Sequence, residues 1–161
     1  YEKRCGFAVD REIVGFELDE RDDWVARLDC GHNQRVRHRL PFFNRPWVVT
    51  DEGRRSKLGS VLACVLCDHR ELPAGFSCYK ETPVFDQDTV PNGLHKDHAT
   101  KPGVWGLICV RKGQLLYTID REEPVAVTPL ASGVLVPNVR HAVRAETLVR
   151  FHVAFYRAAS R

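Results

Sequence analysis

Alternation of apolar and polar positions is the dominant pattern along the chain. Glu12-Ile-Val-Gly-Phe-Glu-Leu18 and Trp24-Val-Ala-Arg-Leu28 alternate on either side of the acidic turn Asp19 to Asp23, which predicts a β-hairpin. Gln34-Arg-Val-Arg-His-Arg-Leu40 reads as a third extended stretch stopped by Pro41, and Arg45-Pro-Trp-Val-Val-Thr50 as a fourth short strand. The segment Glu52 to Gly59 is polar and glycine-bounded, and it leads into Val61-Leu-Ala-Cys64. Periodicity is lost over residues 68–77, where Pro73 and Gly75 stand. Such a break suits a linker, so the expected organisation is a small β-rich module over 1–70, a linker over 71–78 and a second domain over 79–161.

The second half changes character. Trp105-Gly-Leu-Ile-Cys-Val, Gln114-Leu-Leu-Tyr-Thr-Ile, Pro124-Val-Ala-Val-Thr, Gly133-Val-Leu-Val-Pro, Arg140-His-Ala-Val and Val149-Arg-Phe-His-Val-Ala-Phe-Tyr are rich in β-formers, with Gly, Pro or Asp between them. Recurrence roughly every ten residues is the mark of an all-β sandwich or barrel rather than a βαβ fold. No helix longer than about two turns is required anywhere.

With 161 residues, 43% apolar and 28% charged, the chain can form one packed domain or two small ones, and wholesale disorder is excluded. Its apolar runs are far shorter than the roughly 20 residues that cross a bilayer, and no export signal stands out. The expectation is a soluble, cytoplasmic protein with no membrane partner. The sequence holds no methionine, so its true start is expected upstream. A net charge of +3 does not by itself diagnose nucleic-acid binding.

Six cysteines, at 5, 30, 64, 67, 78 and 109, are few and unevenly spaced for a disulfide scaffold. Cys30-Gly-His32 and Cys64-x-x-Cys67 supply three thiols and an imidazole on two short segments. Tetrahedral zinc takes four such donors, and a small module with a meagre core gains from a metal staple. Cys30, His32, Cys64 and Cys67 are therefore the expected ligands of a structural zinc. Two readings of Cys64 and Cys67 stand beside it: ordinary buried thiols, or a redox pair, which needs a strand–helix context that the pattern does not show. His38 is the substitute ligand if His32 points away. Cys78 and Cys109 are expected to pack as small apolar residues.

In order and spacing, Gly15-Phe16, Trp24 to His32, Arg45 to Val48, Gly53-Arg54 and Cys64 to Cys67 resemble a small bacterial family of unknown function. The resemblance covers residues 12–67 and implies an intact module without an assigned activity. Arg35, Arg37 and Arg39 alternate and so share one face if extended. They read as a phosphate-binding face or, preferably, as a solvated face balanced by the acidic turn at 19–23.

Further on, Tyr79-Lys-Glu-Thr-Pro-Val-Phe, Pro91-Asn-Gly-Leu-His-Lys-Asp-His98 through Trp105, Val110-Arg-Lys-Gly-Gln-Leu and Pro137-Asn-Val-Arg-His141 resemble the small cupin family found beside or fused to tellurite-resistance methyltransferases. Its members also stand alone as nitrate- or stress-responsive proteins. The resemblance spans 79–157 and implies a cupin-type β-sandwich barrel; it does not carry methyl transfer to this chain. Cupins hold a metal with His-x-His, a glutamate and a last histidine. Placed on that pattern, His98 takes the first position, Thr100 the second, no glutamate precedes Gly113, and His141 takes the last. His95 joins only if Lys96-Asp97 bulges, and His152 only if it faces the lumen instead of solvent. The resemblance thus implies a second divalent metal, iron or zinc, at His98 and His141 with His95 as the third candidate. Trp105 and Tyr117 read as core or pocket lining, and Lys101 as a candidate anion anchor.

Two classes of function follow. One is a mononuclear metal enzyme of oxygenase type acting on a small metabolite or oxyanion in stress response. The other is a non-catalytic protein that binds or senses a small molecule or metal in the barrel, while the zinc module docks a partner. A nucleic-acid-associated regulator using Arg35, Arg37 and Arg39 is disfavoured. Whether the chain is an enzyme, and whether it forms a homo-oligomer, the sequence leaves open.

Overall fold

The structure is a computed structural model and describes residues 9–159 apart from 97 and 121. Cys5 and Asp97, named above, lie outside the described residues. The chain divides into two compact units that meet between Pro73 and Ala74.

In the first unit, β1 (Val9–Leu18), β2 (Trp24–Leu28), β3 (Asn33–Arg35) and β4 (Val61–Cys64) form an antiparallel sheet in the order β3-β2-β1-β4. Strand β1 is long because it has two partners: its first residues pair with β4, as in Val9 with Cys64, and its remainder pairs with β2. That double pairing brings the two cysteine segments together. Ile13, Val25, Leu28, Val36 and Val48 are the buried aliphatic side chains of this unit.

Two expected extended stretches take other forms. The third strand stops at Arg35, and Arg39 then bridges Phe43 across a short loop. The fourth is absent: Pro46–Val48 make a 3₁₀ turn, followed by helix α1 (Asp51–Ser56). Pro46 opens that turn at a position whose N–H has no intrahelical partner to lose. For α1, the Thr50 hydroxyl accepts from Gly53 N at 3.0 Å, Asp51 and Glu52 sit in the first turn, and Arg54 and Arg55 in the last. This is the cap and charge order that a helix favours. The Arg54 guanidinium lies 3.6 Å from the Trp24 ring centroid and donates to Val48 O at 2.7 Å, pinning the turn to β2.

In the second unit, β5 (Phe76–Glu81), β6 (Phe85–Asp86), β7 (Trp105–Gly113), β8 (Leu115–Ile119), β9 (Val125–Val127), β10 (Gly133–Leu135), β11 (His141–Arg144) and β12 (Val149–Ala158) pair antiparallel. One sheet runs β10-β7-β12-β5, with β6 also on β12, and the other β11-β8-β9. Strand β12 pairs with three others, and its Phe151 and Val153 are buried with Ile108, Val110, Leu115, Tyr117, Val127 and Val143 in one apolar core. Between β7 and β8 the chain turns at Gly113, which has φ +79; a Cβ there would strike the Leu148 carbonyl. The described residues are thus mostly β, and no helix among them is long and apolar enough to cross a membrane.

Candidate metal centre and imidazole pair

Cys30 and His32 stand on the tight turn after β2, where Gly31 takes φ 94. Cys64 ends β4, and Cys67 lies in the one-turn helix α2 (Val65–Asp68) that follows. The segment therefore does run from strand to helix, contrary to the sequence reading. Its thiols are nonetheless not an isolated pair, because Cys30 and His32 meet them. All four donors are buried and lie within 4.8 Å of one another.

The distances test the fit to a metal. A tetrahedron with Zn–S bonds of ~2.3 Å and Zn–N bonds of ~2.0–2.1 Å sets sulfurs ~3.8 Å apart and each sulfur ~3.5 Å from the nitrogen. Here the Cys30 and Cys64 sulfurs are 3.9 Å apart. The His32 Nδ1 lies 3.4 Å from Cys30, 3.4 Å from Cys64 and 3.5 Å from Cys67. On its other side, His32 Nε2 is 2.7 Å from the Glu71 carbonyl oxygen. A ring nitrogen that donates to a carbonyl leaves the opposite nitrogen as a lone-pair ligand and fixes the ring's orientation. The set can bind zinc.

Its electrostatics agree. A hydrogen bond from Cys67 holds the Cys30 thiol down at about 5, whereas Cys67 is pushed up, first by that same bond and then by burial. Cys64 is raised by burial. Three sulfurs packed around one imidazole thus resist ionising together unless a cation joins them. Arg11, 2% exposed, also acts on Cys67, favouring its thiolate. Three thiolates and a neutral imidazole around a divalent ion leave one net negative charge, and a buried guanidinium offsets it. Arg11 was not singled out in the sequence; its place two residues before Ile13 on an alternating strand is the signal that it faces inward.

In the second unit, His98 and His141 form an isolated bridge, with His141 N donating to His98 O at 2.8 Å and His98 N to His141 O at 3.1 Å. Side chains opposite one another in such a pair share a face. Their Nε2 atoms lie 3.1 Å apart, and each Nδ1 is 3.2 Å from a backbone oxygen, of Lys96 and Val139 respectively. With both Nδ1 atoms spent as donors on carbonyls, the two Nε2 atoms face each other as lone-pair acceptors, a contact that an electrophilic group held between them would relieve. His98 also lines an apolar cleft of about 330 Å³ with Thr82, Phe85, Leu94, Val153 and Phe155. That cleft was not read from the sequence, since it draws on three separate segments.

The other sequence candidates lie elsewhere. His95 ends the short helix α3 (Asn92–His95), exposed. The one group of three or more close Cys, His, Asp or Glu donors among the described residues is Cys30, His32, Cys64 and Cys67, so neither His95 nor His152 is gathered with His98 and His141. His152 stands on β12 between the buried Phe151 and Val153; its side chain is 13% exposed and 3.9 Å from Glu81. His38 Nδ1 accepts from Arg45 N at 3.0 Å. Lys101 is exposed, Trp105 and Tyr117 are buried, and Tyr117 Oη donates to Val134 O at 2.5 Å. Cys78 is exposed and Cys109 half-buried. Arg35 and Arg37 pair with Asp19 and Asp23 at 2.6 and 2.8 Å, so the acidic turn does balance this face in part.

Residues 80–153 match the TehB-like domain family, and residues 14–71 match a family described as a protein of unknown function (DUF3565). Over 40 residues the chain is 42% identical to a Haemophilus influenzae protein named a probable S-adenosyl-L-methionine-dependent methyltransferase TehB, a stretch that is 25% of this chain and 14% of that protein. The protein of the same name from a second H. influenzae strain is 40% identical over 40 residues. The crystal structure of TehB from H. influenzae matches with a TM-score of 0.50 and 28% identity, over 53% of this chain and 32% of that one. A protein from Escherichia coli strain K12 shares the fold at a TM-score of 0.51 and 23% identity, over 56% of this chain and 98% of that one. The chain therefore spans a small part of the curated relatives it matches.

These findings overturn the reading of the chain as a metal-dependent oxygenase of cupin type. The relatives it matches are probable methyltransferases, and they do not favour the sensing-protein alternative either. The physical counterpart is the donor count: two imidazoles face each other in the second unit, and no third donor of the kind a mononuclear site needs is gathered with them among the described residues. What stands is a mostly antiparallel β unit of TehB-like sequence.

Proposed function

We propose that residues 74–159 are the acceptor-holding β unit of a TehB-type, S-adenosylmethionine-dependent methyl-transfer system, and that residues 9–73 are a zinc-bound structural module joined to it. The observation that carries the first part is the His98–His141 pair beside an apolar cleft within the segment that matches the TehB-like domain. Apolar walls with a few convergent polar atoms are the usual form of a small-molecule site. His98 would bind the oxygens of a small acceptor, and Phe85, Leu94, Val153 and Phe155 would shut water out around it. His141, 2% exposed, would hold the His98 ring in place from behind.

The division of labour follows from topology. In open α/β folds, nucleotide-bearing cofactors bind outside the carboxyl ends of parallel strands, at a point where strand order reverses. Every strand pair among the described residues is antiparallel, so they offer no such crevice. The methyl donor would then be held by another segment or another protein. In the first unit, zinc would supply a rigid tetrahedral crosslink between the turn after β2 and the β4–α2 junction.

Imidazole NMR of the full chain tests the acceptor role, with sodium tellurite and S-adenosylmethionine as separate probes. Tellurite is expected to move the His98 and His141 ring signals saturably, an effect lost in His98→Ala, while S-adenosylmethionine alone leaves them in place. Rings indifferent to tellurite would remove the acceptor role. Saturable binding of S-adenosylmethionine at the cleft would overturn the division of labour.

A further inference from the structure

A second cleft lies in the first unit, about 240 Å³ in volume and lined by Arg35, Arg37, Phe43 and Arg45. We propose that it binds a phosphate group carried on a flat ring, as in a nucleotide. The charges are arranged for an anion. Asp19 takes the Arg35 Nε at 2.6 Å and Asp23 one Nη of Arg37 at 2.8 Å. A guanidinium carries five N–H donors, so each pair fixes a fork in place and leaves donors unspent.

Asp19 is itself anchored, accepting from the backbone N–H groups of Arg21 at 2.8 Å and Asp23 at 3.1 Å, so the clamp on Arg35 belongs to the turn and not to a loose surface pair. Arg45 has no carboxylate partner among the described residues; its guanidinium sits 5.9 Å from the Phe43 ring centroid. Three cations against two carboxylates leave one positive charge in excess, and planar guanidinium forks match phosphate oxygens two at a time. Phe43, 45% exposed at the same wall, offers a face on which a base can stack. Phosphate donors and a stacking ring side by side within a cleft of this size favour a nucleotide unit over a bare anion.

Calorimetric titration of the full, zinc-loaded chain with AMP, adenosine and inorganic phosphate tests this. AMP is expected to bind at least tenfold more tightly than either fragment. Arg45→Gln should weaken AMP about tenfold, and Phe43→Leu should weaken AMP while leaving inorganic phosphate unchanged. Zinc content and amide spectra check that both variants fold. A ten-residue oligothymidylate separates the sources of the phosphate: binding far tighter than AMP points to a strand, and binding no tighter points to a free nucleotide, each upholding the site only if Arg45→Gln weakens it. AMP no tighter than adenosine, or indifferent to Arg45→Gln, overturns the phosphate site; inorganic phosphate as tight as AMP overturns the role of the ring.

Discussion

Replacing Cys64 by Ser is expected to unfold residues 9–73 and spare residues 74–159. The magnitude follows from what else holds the first unit. Its large buried aliphatic side chains are Ile13, Val25, Leu28, Val36 and Val48; at about 1.5–3 kcal/mol each, they contribute on the order of 10 kcal/mol before any entropic cost. A structural zinc contributes an apparent ~10–16 kcal/mol, as much as that whole aliphatic set. Domains of this size have net stabilities of only ~3–10 kcal/mol, so losing the metal exceeds the margin. The serine leaves the other two sulfurs, His32 and Arg11 buried around an incomplete shell, which adds to the loss. Hydrogen exchange read by mass spectrometry resolves the two units separately. Amides of β1, β2 and β4 should lose protection in Cys64→Ser and in the chelated wild type, while those of β7 and β12 keep theirs. Protection of β1 and β2 that survives exhaustive chelation would refute the reasoning.

Other consequences are smaller. Thr50→Ala removes the cap on α1 and should cost about 0.5–2 kcal/mol in the first unit without changing zinc content, as followed by urea unfolding. Phe151→Ala empties a site that is 0% exposed and packs 5.7 Å from the Phe85 ring, so the second unit should lose about 3–5 kcal/mol in the same assay. The Asp86 carboxylate accepts from Asp88 N and Thr89 N at 2.8 and 2.9 Å, which lowers it below the ordinary 3.8. Its contribution is present above 3.8 and fades as pH falls through the lower folded value. A carboxyl NMR titration should place its midpoint below 3.8.

The β content was readable because alternation sets it: β1 shows period-two burial before the acidic turn, β2 after it alternates only over Ala26, Arg27 and Leu28, and the segments of the second half recur between Gly, Pro and Asp. Helix α1 escaped notice because its six residues include no apolar side chain to set a period, and its signal lies in the Thr50 cap and the order of its charges. Cys64-x-x-Cys67 announces itself as a pair. That Cys30 and His32 come to it depends on β1 pairing with both β2 and β4, which no local pattern specifies. His98 and His141 are 43 positions apart and meet through one bridge outside the named strands, so the resemblance to a family carried that placement. His95 joins His98 only through a bulge in an extended segment, and the chain instead ends a short helix at His95, which no apolar period announces.

Zinc-edge X-ray absorption on the full chain, with metal content measured alongside, tests the central claim most directly. One zinc per chain is expected, with three sulfurs at ~2.3 Å and one nitrogen at ~2.0–2.1 Å in its first shell. A shell of oxygen and nitrogen alone, or a folded first unit that takes up no zinc, would contradict it.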